Sequence, residues 1–557
     1  MNPSRSELLG AAIAASLLFV AAGTPAFADR RTYPAAVDSA TWIDHDARPI
    51  PKPEERKVSL YGHMFRQEIV EPLSHAFDVP DKILWLTKPL GAHSKPHSAN
   101  ANCFDEVPNS TWFTNRNHVK AVSTAEIRKG PFDGVVPSKP WTVKDLKKSG
   151  RNIGFHIKDA DGRKWIVKLD VPGYPQTGSG AGAIVSRLVG AAGYNLALYQ
   201  AVTFRREDLQ LETKVASTKP VATDDPPVTA SDVEGLLRQG ARAPDGRYYA
   251  GASFFLPGKP AGPPSLAAYR EDDPNDWYRH KNRRDLRGLY VLYSWLNSWD
   301  VKEPQLLDMY TGKDESPGHL AHYIIDVDGS LGAGAEGPKP LPYGYEMRVD
   351  FPWTMKRLLT LGFILEPWRR ANQVTGIPSV GNFESEEFHP RGWRPLVEVE
   401  PFRELTPRDG YWGAKLVASF SNAQIAAAID AAGYEDPRAP AWLLRTLIER
   451  RDKVVRYWFD RVAPLDFFHV EGGVLRFRDL ALDIGLTGRR EYEVEIDAEG
   501  GRVPERMRLA ETEMTLPQGG ATRLSLTLSV PGTDAASVRV ELGREGSDWV
   551  VRRVRHA

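Results

Sequence analysis

The sequence predicts an α+β protein, and three observations predict it. Residues 153–170 read as two short strands around Asp159-Ala-Asp-Gly162, with Asp-Gly where a tight turn needs positive φ. From Arg283 to Asn297 the apolar residues nearly surround a helix, as in a buried one. Tyr492–Asp497 and Arg523–Val530 alternate apolar and polar residues, as in antiparallel strands with one dry face. The 557 residues are 41% hydrophobic, enough for a sizeable core and more than one domain. Lys plus Arg and Asp plus Glu number 72 each, so no net field steers the chain onto nucleic acid or anionic lipid, and no nucleic-acid partner is expected. A single cysteine, Cys103, excludes an internal disulfide framework.

Residues 1–28 read as a secretory signal. Leu8 to Ala22 is an apolar run too short for a bilayer span, and Pro25-Ala26-Phe27-Ala28 fits cleavage after Ala28. The expected product is periplasmic or secreted, without a transmembrane anchor. Residues 29–140, rich in Pro, Ser, Asn and His, read as an arm lying on a larger body, and Phe104–Arg116 is the piece expected to pack down. His93, His97 and Cys103 sit among turn formers that do not bring two imidazoles together, so an ordinary loop is expected there.

Residues 141–262 carry the hairpin, an apolar helix from about Ala181 to Ala192, a strand near Leu196–Phe204, a loop-rich insertion over 215–245 and a strand from Tyr248, ending at Pro257-Gly-Lys-Pro-Ala-Gly-Pro263. Residues 263–485 are mainly helical, with a strand pair at Leu306–Tyr310 and His322–Val327. The stripe from Trp442 to Val462 is a core face of one helix. Residues 486–557 form the small β tail.

The order of these parts carries a resemblance: a lysine on a strand, a helix, more strands, a Pro/Gly connection, a buried helix, an aspartate loop and a strand ending in aspartate. Over about residues 150–465 the chain resembles the protein-kinase-like fold, two-lobed, with residues 141–262 as the smaller lobe and 263–485 as the larger. It is also similar to exported bacterial kinase-like proteins of unknown substrate, through Asp105–Arg116, Arg283–Gly288 and Tyr323–Asp326. The resemblance implies ATP and Mg²⁺ as cofactors and phosphoryl transfer to an unidentified acceptor. It places Lys168 on the phosphates, Asp300 as the catalytic aspartate with Lys302 beside it, and Gln305 and Asp326 on the metal, with Asp328 as a further carboxylate there.

Such chemistry needs charge neutralisation and positioning: a lysine as a point charge on phosphate, and oxygen ligands for Mg²⁺. Alternation puts Asp170 on the face of Lys168, as a local partner for it. Gly178-Ser-Gly180-Ala-Gly182 before an apolar helix suits a phosphate at a helix N-terminus, although the spacing is not that of a dinucleotide fingerprint. The chain departs from the family pattern in four ways. No Asp or Glu occurs from Val171 through Arg206, where the fold normally has the glutamate that orients its lysine. Gln305 replaces an asparagine, Val327-Asp328 replaces Phe-Gly, and Trp299 precedes the loop aspartate. These departures keep a second expectation open, a non-catalytic scaffold built on the same body.

Overall fold

The computed structural model describes residues 40–58, 62, 66–70, 95–147, 150–212, 228–313, 316–364, 367–370, 375–499 and 505–557. The expected signal and His93 lie outside them.

Helix α1 (Thr124–Lys129) precedes a six-stranded sheet made of β1 (Trp141–Leu146), β2 (Gly154–Lys158), β3 (Lys164–Leu169), β4 (Tyr199–Phe204), β5 (Leu209–Leu211) and β6 (Tyr248–Phe254). Helix α2 (Thr177–Ala192) joins β3 to β4, and α3 (Ala230–Leu237) lies between β5 and β6. The strand order is β4-β6-β3-β2-β1-β5, antiparallel except for the short β1–β5 edge pair. The β2–β3 turn forms where the sequence puts it. Gly162 takes φ +84, and the Asp159 carboxylate accepts hydrogen bonds from the Asp161 and Arg163 amides and from the Trp165 indole.

Next come β7 (Lys259–Pro260), α4 (Arg284–Leu296), β8 (Leu306–Tyr310) and β9 (Leu320–Ile324), the three strands forming one small sheet. All thirteen residues of α4 are buried, as its all-round apolar pattern requires. The close approach of α7 depends on Gly288, where a Cβ would fall 2.6 Å from the Trp412 ring. A two-residue ladder, β10 (Ala333–Gly334) with β11 (Gly337–Pro338), leads to α5 (Phe351–Leu359), α6 (Glu400–Arg403), α7 (Pro407–Ala418), α8 (Asn422–Asp430) and α9 (Arg438–Phe459). Helix α7 opens with a capping box between Thr406 and Asp409, and Asp409 also meets Arg284 and Arg287 of α4.

The last part holds β12 (Leu465–Glu471), β13 (Val474–Asp479), α10 (Leu480–Asp483), β14 (Tyr492–Ala498), β15 (Glu505–Leu509), β16 (Glu513–Thr515), β17 (Arg523–Ser529), β18 (Val538–Glu545) and β19 (Asp548–His556). Its strands form the sheets β12-β13-β16 and β15-β14-β17-β18-β19 around one apolar cluster. Before residue 486, Leu465, Leu475 and Phe477 pack in the same cluster as Tyr492 and Leu526, while Leu480 and Ala481 pack in the main core. Among the described residues no helix is long and apolar enough to cross a membrane.

The arm is part of the main core. Val107, Trp112 and Phe113 belong to the same apolar cluster as α2, α4 and α9, and the Trp112 ring stacks on His322 of β9 with centroids 3.8 Å apart. Asp105 meets Arg284 at 2.7 Å, Arg408 at 2.6 Å and the His556 ring at 2.9 Å. Burial alone would raise the Asp105 carboxyl, but Arg284, the His556 hydrogen bond and Arg408 outweigh it and hold the group well below its ordinary value. Cys103 is buried beside this cluster, and its carbonyl accepts from the Val554 amide.

Candidate functional site

Strand β3 carries Lys168 in the middle of the sheet, opposite Gly154 of β2 and Gly251 of β6. Its side chain is almost buried, and its ammonium donates to Asp326 Oδ1 at 2.9 Å and to Asp328 Oδ2 at 3.0 Å. Burial by itself would lower the lysine's pKa. The two carboxylates outweigh it and raise the group above its ordinary value. The pair is divided by its surroundings. Burial and the neighbouring Asp328 push the Asp326 carboxyl up, with Lys168 pulling against them, and partial exposure moderates the burial contribution. Burial would raise Asp328 too, but Lys168, hydrogen bonding with Asp326 and the Tyr199 hydroxyl hold it below its ordinary value.

The aspartate loop begins where α4 ends. Asn297 turns out of the helix in the left-handed region at φ 45, and its Oδ1 accepts from the Trp393 indole. Three hydrogen bonds then pin the loop to the segment after Asp328: the Ser298 and Ser330 hydroxyls at 2.7 Å, Trp299 Nε1 to the Ala333 carbonyl, and the Leu331 amide to the Leu296 carbonyl. Trp299, which precedes the loop aspartate, is therefore an anchor of the loop. Beyond it, Asp300 Oδ1 accepts from Lys302 Nζ at 2.7 Å and Oδ2 from Gln305 Nε2 at 2.6 Å.

Gln305 closes a single 3₁₀ turn, Glu303–Gln305, and its carbonyl accepts from the Ile325 amide, which ties the loop to the residue before Asp326. Its Oε1 is buried with no hydrogen-bond partner. Flipping the amide would put oxygen against oxygen at Asp300, so the carboxylate fixes the orientation. Asp300, Gln305 and Asp326 line one small cavity with Ser298 and Ser330. Lys168 and Asp328 line another with Asn152, Asp170, Gly178 and Tyr199. Each holds about 20 Å³, room for a single water.

Lys168, Asp326 and Asp328 are thus brought into direct contact, and Asp300, Lys302 and Gln305 into a second set that shares a cavity with Asp326. For a divalent cation the residues fit in part. An orphaned amide oxygen and a partly exposed carboxylate share one cavity, which is the oxygen chemistry Mg²⁺ takes. Among the described residues no three His, Cys, Asp or Glu side chains are grouped to hold a metal without further ligands. Neither cavity has the volume of a nucleotide.

Three expectations are corrected. Asp170 shares the cavity face of Lys168, as alternation requires, but is not its partner. It caps α2: its carboxylate accepts from the Gln176, Gly178 and Ser179 amides at 2.9–3.1 Å and from the Ser179 hydroxyl at 2.5 Å. Burial raises it to about 6 against those four donors. Second, Gly178 and Gly180 are no phosphate cradle. Helix α2 starts at Thr177, earlier than the expected Ala181, so both lie inside it. The donors a phosphate would use already serve Asp170, and Gly180 admits the Tyr434 hydroxyl, which a Cβ would meet at 2.3 Å. Third, Asp328 does not share the cavity of Gln305 and Asp326. It faces Asn152 and Tyr199.

Tyr199 and Asn152 are absent from the sequence-derived site. The only trace of Tyr199 is the spacing of small residues, Gly182 and Gly251, where a Cβ would fall 2.5 Å and 2.1 Å from its ring. Asn152 lies in the β1–β2 loop with no motif to mark it.

No family model matches the chain, and no curated protein matches it. Among solved structures it is similar to the Golgi casein kinase, at 9% identity over 58% of this chain and 71% of that chain, with a TM-score of 0.28. It is also similar to the Golgi casein kinase with Mn/ADP bound, at 10% identity over 75% and 93% of the two chains, with a TM-score of 0.29.

Proposed function

We propose that the chain is an exported, two-lobed, kinase-like protein that binds a nucleotide with a divalent cation between the six-stranded sheet and the helical part, and transfers a phosphoryl group to a hydroxyl acceptor. One observation carries the reading. A strand lysine, Lys168, meets the two acids of the loop after β9, while Asp300 and Gln305 line the same cavity as Asp326.

In this reading Lys168 holds phosphate oxygens as a point charge, and Asp326 with Gln305 Oε1 holds the cation. A metal–nucleotide held there would supply the phosphoryl group and charge neutralisation. Asp300 orients the acceptor hydroxyl and takes its proton on a carboxylate oxygen. Lys302 and Gln305 fix that carboxylate in place from two sides. Val399, Pro401 and Phe402 give the cavity beside the aspartate an apolar wall.

Thermal stabilisation by millimolar ATP, measured with and without Mg²⁺, tests the reading. A shift that needs Mg²⁺ and is lost in Asp326→Ala is expected, and no shift in the wild type overturns it. Asp300→Ala is expected to keep the shift and lose transfer. The second reading, a scaffold without transfer, is favoured by the small volume of both cavities. A wild type that binds ATP but transfers to no protein, sugar or lipid head-group acceptor supports it.

A further inference from the structure

We infer that Asp328 is the acid that positions Lys168 and is not a ligand of the metal; this deepens the reading above and rests on it. A lysine carries its charge on a long flexible stem, and a fixed counter-charge holds the ammonium in one place. The helix packed behind Lys168 offers none, since α2 and its flanks from Val171 to Arg206 contain no acid.

Tyr199 of β4 fills the space between that helix and the sheet. It is admitted by Gly182 on the helix and Gly251 on β6. Its hydroxyl donates to Asp328 Oδ2 at 3.0 Å. The same oxygen accepts from Asn152 Nδ2 at 2.8 Å and from Lys168 at 3.0 Å. Three donors occupy Oδ2, so that oxygen is committed to the protein's own side chains.

The exposures divide the labour in the same way. The Asp328 side chain is 9% exposed and walled in by Asn152 and Tyr199, whereas Asp326 is 34% exposed and lines the cavity of Asp300 and the orphaned Gln305 oxygen. The acid missing from the helix has thus been moved to the loop. One three-residue segment, Asp326-Val327-Asp328, carries both the candidate metal carboxylate and the lysine's counter-charge. The lysine is held whenever that loop is in place, whatever the attitude of α2.

The test uses the full chain, with Mn²⁺ affinity read by electron paramagnetic resonance in the presence of ADP, and ADP affinity read by calorimetry at saturating Mn²⁺. Asp326→Asn is expected to weaken Mn²⁺ by at least about tenfold. Asp328→Asn is expected to leave Mn²⁺ within about twofold, to weaken ADP by about tenfold, and to add nothing when combined with Lys168→Met. Tyr199→Phe, which removes one hydroxyl, is expected to weaken ADP in the same direction with Mn²⁺ unchanged, and it decides the matter if Asp328→Asn does not fold. The inference is overturned if Asp328→Asn or Tyr199→Phe weakens Mn²⁺ as much as Asp326→Asn, or if the ADP losses of Asp328→Asn and Lys168→Met add. A wild type that binds no Mn²⁺ with ADP sinks the underlying reading and this inference together, a result distinct from either of those.

Discussion

Lys168 Nζ and Asp326 Oδ1 stand 2.9 Å apart across 158 residues of chain, so the six-stranded sheet and the loop after β9 are locked by charge at the candidate site. With Asp328 they make a triad of one cation and two acids. Removing the cation leaves two carboxylates facing each other in poor solvent. Lys168→Met is expected to destabilise the protein by about 3 kcal/mol at neutral pH, at the low end for a broken buried pair because Asp326 is partly exposed. Denaturant unfolding checks this. Adding Asp328→Asn to Lys168→Met is expected to recover part of the loss.

The glycines of α2 separate into those that make room and those that do not. At Gly182 a Cβ would lie 2.5 Å from the Tyr199 ring, inside a packed layer, whereas at Gly178 its nearest neighbour is Asp170 Oδ1 at 3.4 Å. Gly182→Ala is expected to cost about 1–3 kcal/mol despite alanine's better helix propensity. Gly178→Ala is expected to be near neutral. Paired thermal melts distinguish the two.

Asp170 accepts from three amides and a hydroxyl, so its site wants an acceptor on every side. Asp170→Asn replaces one accepting oxygen by an amide that confronts a donor. It is expected to destabilise by about 1–2 kcal/mol, with Asp170→Ala at least as costly. Equal stability of wild type and Asp170→Asn in denaturant melts would show that the cap is not made.

The buried pair of His280 and Asp276 gives a pH signature. His280 Nδ1 faces the Ser265 carbonyl and Nε2 faces Asp276 Oδ2 at 2.8 Å, two acceptors, so the ring carries both protons. Burial would lower its pKa, but Asp276 and the carbonyl raise it above the ordinary value, while Asp276 is held below its own. The histidine's contribution is therefore complete below about pH 6.5 and is lost as pH rises through its raised folded value. That of Asp276 is lost in acid, as pH falls through its lowered value. The stability difference between wild type and His280→Gln, measured by denaturant unfolding, is expected to shrink from pH 6 towards alkaline pH.

The line of chemistry along the chain was legible where it depends on local pattern. The Asp-Gly turn sets the register that puts Lys168 inward, the all-round apolar helix ends just before the Asp300 loop, and β9 delivers Asp326. Long-range partners were not legible. Period two places Asp170 on the right face but does not reveal that the amides at the start of α2 would claim it. Tyr199 reads as an ordinary strand aromatic until two glycines on different elements are seen to frame its ring. Strand β12 was not legible for a local reason. The pairing of β12 with β13 shifts between Asp466 and His469, and Phe467 sits at φ 54, so the Phe467-Phe468 pair breaks the alternation that would have announced a strand.

Asp105 has a consequence for how the molecule comes together. Its partners Arg284, Arg408 and His556 lie 179, 303 and 451 residues further along the chain. A single carboxylate can gather them only after the arm, the buried helix, the helical layer and the last strand have met, and closing such long loops is slow. The cluster is therefore expected to form late in folding and to report that the whole chain is in place. In Asp105→Asn the early layers are expected to form at their usual rate while the native state unfolds faster, a defect visible in the unfolding limb of the kinetics and not in the refolding one.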